Sequence, residues 1–203
     1  MRHSIGRAPG GPSGIGGGGG APGPFAPEAE SLLIFAAFPT PPTGAEQTRI
    51  NTCVKALKDA GLWAKFSLLY PIGSTGSPSD NGLVNWVSPG TFDLTVGAVG
   101  GTFTAYRGYA GNGTSSYLTT GWDASNNGGG VFQQDDCHIG DYNITDQATN
   151  NAEFGTGTGA GTLVRNANAN AVAVRCNNNA TSHAWTSAAG PPRCWSAPWS
   201  PPT

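Results

Sequence analysis

Between residues 43 and 61 the chain carries a complete set of signals for one amphipathic helix, and directly after it the periodicity changes from helical to two. Thr43 and Glu46 have the spacing of a capping box, in which each side chain satisfies the other's backbone donor. Ile50, Cys53, Val54 and Leu57 follow at i, i+3, i+4 and i+7, one face of a helix. Gly61 supplies the left-handed stop that ends many helices. The spacing predicts a helix over 45–60 that lies against β-structure through that face. A shorter helix is expected over 28–38, because Pro27 suits a first turn, Glu28 and Glu30 suit the positive end of the dipole, and Pro39 ends it. Pro39, Pro41 and Pro42 make a stiff connector between the two.

From residue 66 the alternation predicts strands at 66–70, 83–87, 91–96, 102–106, 115–120, 131–134, 137–142, 162–166 and 171–175. Turn-forming clusters separate most of them, the pattern of an antiparallel sandwich or barrel. Glycine, at 32 of 203 residues, fits this picture, since Gly and Asn accept positive φ at low cost. Residues 1–24 hold ten glycines and four prolines, too little apolar surface to offset ordering entropy, and are expected to be a flexible arm in isolation. At the other end, Pro191, Pro192, Pro198, Pro201 and Pro202 are expected to exclude regular hydrogen bonding. The organisation read from the chain is an arm (1–24), a helical lead-in (25–65), a β-sandwich (66–186) and a Pro/Trp-rich tail (187–203).

Ten basic and twelve acidic residues, a net charge of −2, give no electrostatic reason to expect nucleic acid or an anionic membrane as partner. The apolar run Leu32 to Phe38 is far short of the roughly 18 residues that span a bilayer. Arg2 and Arg7 lead into glycine and not into an apolar stretch, so a secretory signal is not expected. Cys53, Cys137, Cys176 and Cys194 lack CxxC spacing and read as free thiols. The sequons at Asn112, Asn143 and Asn179 then mark polar turns.

Asp135, Asp136, Cys137 and His138, with Asp141 nearby, form the densest polar cluster. Neighbouring residues on a strand point to opposite faces, so Asp135 and Asp136 cannot aim at one ion without a bulge. The cluster reads as a solvated strand end, and no metal or cofactor is expected. His138 and His183 are the only histidines outside the arm, and no G-x-S-x-G elbow accompanies them. Gly108, Gly111 and Gly113 read as turn residues, since no P-loop lysine follows. Among the aromatics, Trp86, Tyr106 and Tyr117 are expected in the core. Tyr109 and Trp122 flank polar turns. With Asn112 and Asn126 they form the candidate ligand-binding set, rings for stacking with amides beside them. For Trp122, core and platform stay open as alternatives. Trp195 and Trp199 are candidate partner-docking anchors.

The collinear order of Gly61–Lys65 (Gly-Leu-Trp-Ala-Lys), Leu83–Trp86, Asp93–Thr95, Tyr106–Tyr109 and Gly111–Leu118, behind the Gly-rich start and capped helix, resembles a family of tailed-phage and prophage virion proteins. The resemblance covers roughly residues 10–185. It implies a concanavalin A-like lectin/glucanase jelly roll behind a short helical lead-in. The enzymatic members of that fold family carry two glutamates on one strand. Here Glu28, Glu30 and Glu46 lie in the lead-in and Glu153 alone in the β-rich region, so the pair that glycoside hydrolysis needs is missing. The family's sandwich also continues beyond the segment matching Val172–Arg175, where this chain turns into its Pro/Trp tail. Open sheet edges need covering, and a neighbouring subunit is the expected cover. The expectation is a non-enzymatic structural component of a virion, a capsid decoration or tail-associated protein that forms a homo-oligomer and docks through its arms. The alternative is a glycan-binding receptor module of a tail appendage.

Overall fold

A computed structural model describes residues 25–76 and 79–129, residues 132, 138 and 140–141, and the strand residues 152–155, 163–168, 171–175, 183–186 and 195–196. The arm of 1–24 and most of the tail lie outside the described residues.

Helix α1 spans Ala29–Ala37 and α2 spans Gly44–Asp59, each within a residue of expectation. Both halves of the capping box are formed. The Thr43 hydroxyl accepts from the Glu46 N–H at 3.3 Å, and the Thr43 N–H donates to Glu46 Oε2 at 2.9 Å. At the other end Gly61 is left-handed, with φ +67°. Its N–H meets the Lys58 carbonyl and the Leu62 N–H reaches the Leu57 carbonyl, the paired bonds of a Schellman stop. The helices form an antiparallel hairpin closed at its open end by charge. Lys58 Nζ lies 2.6 Å from Glu28 Oε2 and 2.7 Å from Glu30 Oε2, while Asn51 Oδ1 accepts from the Glu28 N–H at 2.7 Å.

The buried apolar cluster among the described residues is Ile34 and Phe38 from the first helix and its end, Ile50 and Val54 from the second, and Val84 and Trp86. Phe35, Ala37, Trp63 and Leu69 pack on it. The expected helix face is therefore corrected in two ways. Ile50 and Val54 are buried, but Cys53 is exposed and Leu57 only half-buried. The surface they cover is α1 and the irregular segment around Val84–Trp86, not a sheet.

Strands expected at 66–70 and 83–87 are replaced by extended chain and short 3₁₀ turns at Trp63–Lys65, Ile72–Ser74 and Ser79–Leu83. The two segments still lie side by side, because Trp86 N–H donates to the Leu69 carbonyl at 2.9 Å. What stops a ladder is Asn85, fully buried, whose Oδ1 takes the Leu69 N–H at 3.2 Å and whose Nδ2 donates to the Thr91 carbonyl. A short polar side chain that bonds nearby backbone competes directly with sheet pairing. Its own N–H goes to Asp93 Oδ1 at 2.8 Å. Asn81 does the same for the Pro connector, exchanging two hydrogen bonds with the Thr40 backbone. Tyr70 anchors the next turn by donating its hydroxyl to the Phe92 carbonyl, and Phe92 itself sits at φ +57°.

Beyond residue 94 the chain forms short antiparallel pairs: β1 (Thr95–Val96), β2 (Thr102–Thr104), β3 (Gly108–Ala110) and β4 (Leu118–Thr119). β2 pairs with β3 and β1 with β4, so a hairpin is nested inside an outer pair. A single turn, α3 (Ala124–Asn127), follows. β5 (Gly140–Asp141) pairs with β10 (Trp195–Ser196). β6 (Ala152–Gly155), β7 (Leu163–Asn168), β8 (Ala171–Arg175) and β9 (His183–Thr186) make a four-stranded antiparallel meander. β7 and β8 overlap the strands expected at 162–166 and 171–175. The β5–β10 ladder corrects the expectation that the tail forms no regular bonds: prolines flank Trp195 and Ser196 without occupying the ladder, leaving their N–H groups available. The strand expected at 131–134 lies outside the described residues except for Phe132. The architecture is thus mixed, helices followed by short antiparallel strands with little sheet.

Because Val54 is fully buried and Leu57 is not, Val54→Asp should unfold the protein, an unpaired buried charge being very costly. Leu57→Asp should leave a folded protein with a modestly lowered midpoint. Denaturant unfolding of the two variants checks the ranking, and equal loss in both would contradict the placement of the core.

Candidate functional site

The residues singled out from sequence fall into two local groups. Tyr109, on β3, is half-buried and tilts onto Phe103, its cross-strand partner, with ring centroids 5.3 Å apart. Asn112 closes the following turn: its Oδ1 accepts from the N–H groups of Thr114, Ser115 and Ser116 at 2.9–3.0 Å, and its Nδ2 donates to Ser115 Oγ. Trp122 is half-buried and meets Phe132 edge-on at 5.2 Å. Asn126 donates to the Asp123 carboxylate beside α3. Each ring has an aromatic neighbour, and each amide organises its own turn.

Two tyrosines expected in the core are instead on the surface, while Trp86, only 3% exposed, is in it. Tyr106 is 55% exposed and Tyr117 59%. The cause is the same for both: a glycine across from the ring. A Cβ built on Gly76 would stand 2.4 Å from Tyr106 Oη, and one on Gly97 would stand 2.6–2.7 Å from three Tyr117 ring atoms. The Tyr117 ring lies on bare backbone beside a strand pair, an arrangement by which aromatics protect glycine in a sheet, while Tyr106 brings its hydroxyl end against a loop glycine. Strand register brings Tyr117 to Gly97 and a loop contact brings Tyr106 to Gly76, and a list of residues contains neither.

Tyr106 is held on several sides. It sits at φ +57°, a conformation rarely adopted by a bulky residue, in the turn between β2 and β3. Its N–H donates to the Thr75 carbonyl at 3.0 Å, its hydroxyl accepts from Arg49 Nη2 at 3.2 Å, and the guanidinium stands 5.3 Å from the ring centre. One turn back on α2, Glu46 Oε1 accepts from the Gly76 N–H at 3.0 Å. Glu46 thereby caps its own helix and fixes the loop on which Tyr106 rests. Tyr106 is a strut between hairpin and helix.

The described carboxylates with defined partners have structural work. Glu28 and Glu30 meet Lys58, Asp59 meets Lys55, and Asp93 collects the N–H groups of Asn85 and Gly90. Among the described residues no three His, Cys, Asp or Glu side chains converge as a metal site requires. His138 is exposed and edges onto Phe66 at 5.7 Å, while Asp135, Asp136 and Cys137 lie outside the described residues, as do Cys176, Cys194 and Trp199. Trp195 is placed by its backbone in β10. Among the described residues no helix is long and apolar enough to cross a membrane.

Comparison with protein-family models, with curated proteins and with solved structures finds no match to this chain.

Burial pushes the Glu46 carboxyl up, but hydrogen bonds from the Gly76 and Thr43 N–H groups and the Thr43 hydroxyl, with the Arg49 charge, outweigh it and hold the group below its ordinary value. Glu30 is lowered too, chiefly by its hydrogen bond from Lys58. A carboxyl depressed in the folded state stabilises fully above its unfolded value, and that contribution disappears as pH falls through the folded one. The melting temperature should therefore hold near neutrality and drop as pH falls below the ordinary glutamate range. Glu46→Gln keeps one of the two acceptor oxygens and cannot titrate, so it should start from a lower melting temperature and flatten that acid limb. Thermal melts from pH 7 to pH 2 measure it, and an identical limb in the variant would remove Glu46 from the account.

Proposed function

We propose that this chain is a non-enzymatic structural component of a tailed-phage particle. In this reading its helical hairpin docks on a neighbouring virion subunit, and its strand-rich remainder, taken as a concanavalin-like β-sandwich, is displayed outward. The observation that carries the reading is the outer face of α1. Ala29, Leu32, Leu33 and Ala36 recur at i, i+3, i+4 and i+7, and all four are exposed, Leu32 at 53% and Leu33 at 61%. An apolar stripe on a helix normally faces another surface. Here one side covers Ile34 against α2, and the other is left as an uncharged stripe, with Glu28 and Glu30 drawn to Lys58. Contiguous apolar surface of this kind marks an interaction site. The order of sequence segments that resembles phage virion proteins supplies the class of partner, other capsid or tail proteins or further copies of the chain, and the virion as its location. Trp195 and Trp199 remain proposed anchors at the tail.

A second reading, a glycan-binding module on a tail appendage, is favoured by a specific observation: Tyr117 presents a flat ring to solvent. Tyr109, Asn112, Trp122 and Asn126 belong to this reading as the alternative place for a sugar.

Replacing Leu32 and Leu33 together by Glu tests the docking reading. Both are exposed, so the isolated protein should keep its melting temperature, surface changes usually costing within about 0.5 kcal/mol. The variant should be missing from purified particles assembled in its presence. Normal incorporation of a stably folded double variant would overturn docking through α1.

A further inference from the structure

We propose that the face of the β1–β4 pair bearing Tyr117 is a binding site for a neutral pyranose sugar, an inference that rests on the glycan-binding reading and gives it a place and a ligand class. Register places the residues. Thr95 is opposite Thr119 and Val96 opposite Leu118, and the Gly97 N–H donates to the Tyr117 carbonyl at 3.0 Å, continuing the pairing by one step. Residues two apart on a strand share a face. Tyr117, Gly97, Thr95 and Thr119 therefore stand together on one side, and Val96 and Leu118 on the other.

Gly97 makes the platform. Three ring atoms of Tyr117 are nearly equidistant from the point where a Cβ would be, so the ring lies face-on against the glycine. With that face covered by backbone, the 59% exposure of Tyr117 belongs largely to its opposite face. Tyr109 and Trp122 each tilt or edge against another ring, and Tyr106 carries the Arg49 guanidinium; among the described residues Tyr117 makes no such contact. An aromatic face held flat and open stacks on the C–H face of a pyranose, a large apolar contact at small rotamer cost. Beside it Thr95 and Thr119 are exposed, and among the described residues Thr119 Oγ1 accepts only a long bond from the Gly121 N–H at 3.4 Å, leaving its O–H to donate. These groups suit sugar hydroxyls. None of the four residues is charged, so nothing on this face would compensate the carboxylate of an acidic sugar, and the neutral class is favoured.

The test uses the full chain, ¹⁵N-labelled, titrated with maltotriose, cellotriose, mannotriose and trigalacturonate while backbone amides are followed by NMR. At least one neutral trisaccharide should shift the amides of Gly97, Tyr117 and Thr119, and trigalacturonate should not. Tyr117→Ala should weaken that binding by about tenfold or more, the order expected for losing an aromatic anchor. Tyr117→Phe should stay within about threefold, because the ring face is retained. Gly97→Ala is the sharper variant. Gly97 is not left-handed, so Ala fits the backbone, but its methyl occupies the ring's seat and should cost as much as losing the ring. Shifts clustered instead on Trp122 and Asn126, with Gly97→Ala silent, would overturn this site and leave the glycan-binding reading standing. Absence of shifts with every trisaccharide would overturn both. Equal binding of trigalacturonate and the neutral sugars would overturn the ligand class.

Discussion

Glu46 is the side chain on which the described structure turns. One carboxylate oxygen completes the capping box of α2 and the other takes the Gly76 N–H, so a local helix signal also closes a contact thirty residues away in sequence. Gly76 in turn has no Cβ to keep the Tyr106 ring off its backbone, and Tyr106 ties the β2–β3 turn to Arg49 on the same helix. Helix start, loop position and hairpin orientation are thus one connected set. The exposure of its outer members matters less than it would for isolated pairs, because each partner is already positioned by another.

The second constraint is polar and buried. Asn81 and Asn85 lie within the packed region and spend their amides on backbone groups that a β-ladder would otherwise satisfy. Satisfaction of buried backbone is close to obligatory, so an asparagine that meets the need removes the incentive to form strands. The irregular segment around Val84–Trp86 can then close over Ile50 and Val54 in place of a sheet.

The functional readings follow from surfaces left incomplete by this packing. α1 leaves the apolar stripe of Ala29, Leu32, Leu33 and Ala36 uncovered, and Tyr117 is seated on one face and open on the other. The two surfaces lie on different elements, so docking by the hairpin and sugar binding by the β1–β4 pair are compatible in one protein. Neither depends on a titrating or metal-bound centre.

Local chemistry was legible in the sequence alone. The capping box of Thr43 and Glu46, the Gly61 stop, both helices and the β7–β8 pair are set by interactions within a few residues, and those interactions are written in spacing. The alternation at 66–70 and 83–87 was equally visible but did not become strand, because whether Asn85 bonds water or the Leu69 N–H depends on what packs above it. The positions of Tyr106 and Tyr117 were misjudged for the same reason. An aromatic at strand spacing is apolar enough for a core, and only the folded chain shows that a glycine faces Tyr106 across a loop and Tyr117 across a strand pair. Sequence determined where the chain turns helical and where it can pair. Tertiary structure decided which side of each element met another, because burial is a property of two surfaces and the sequence describes them one at a time.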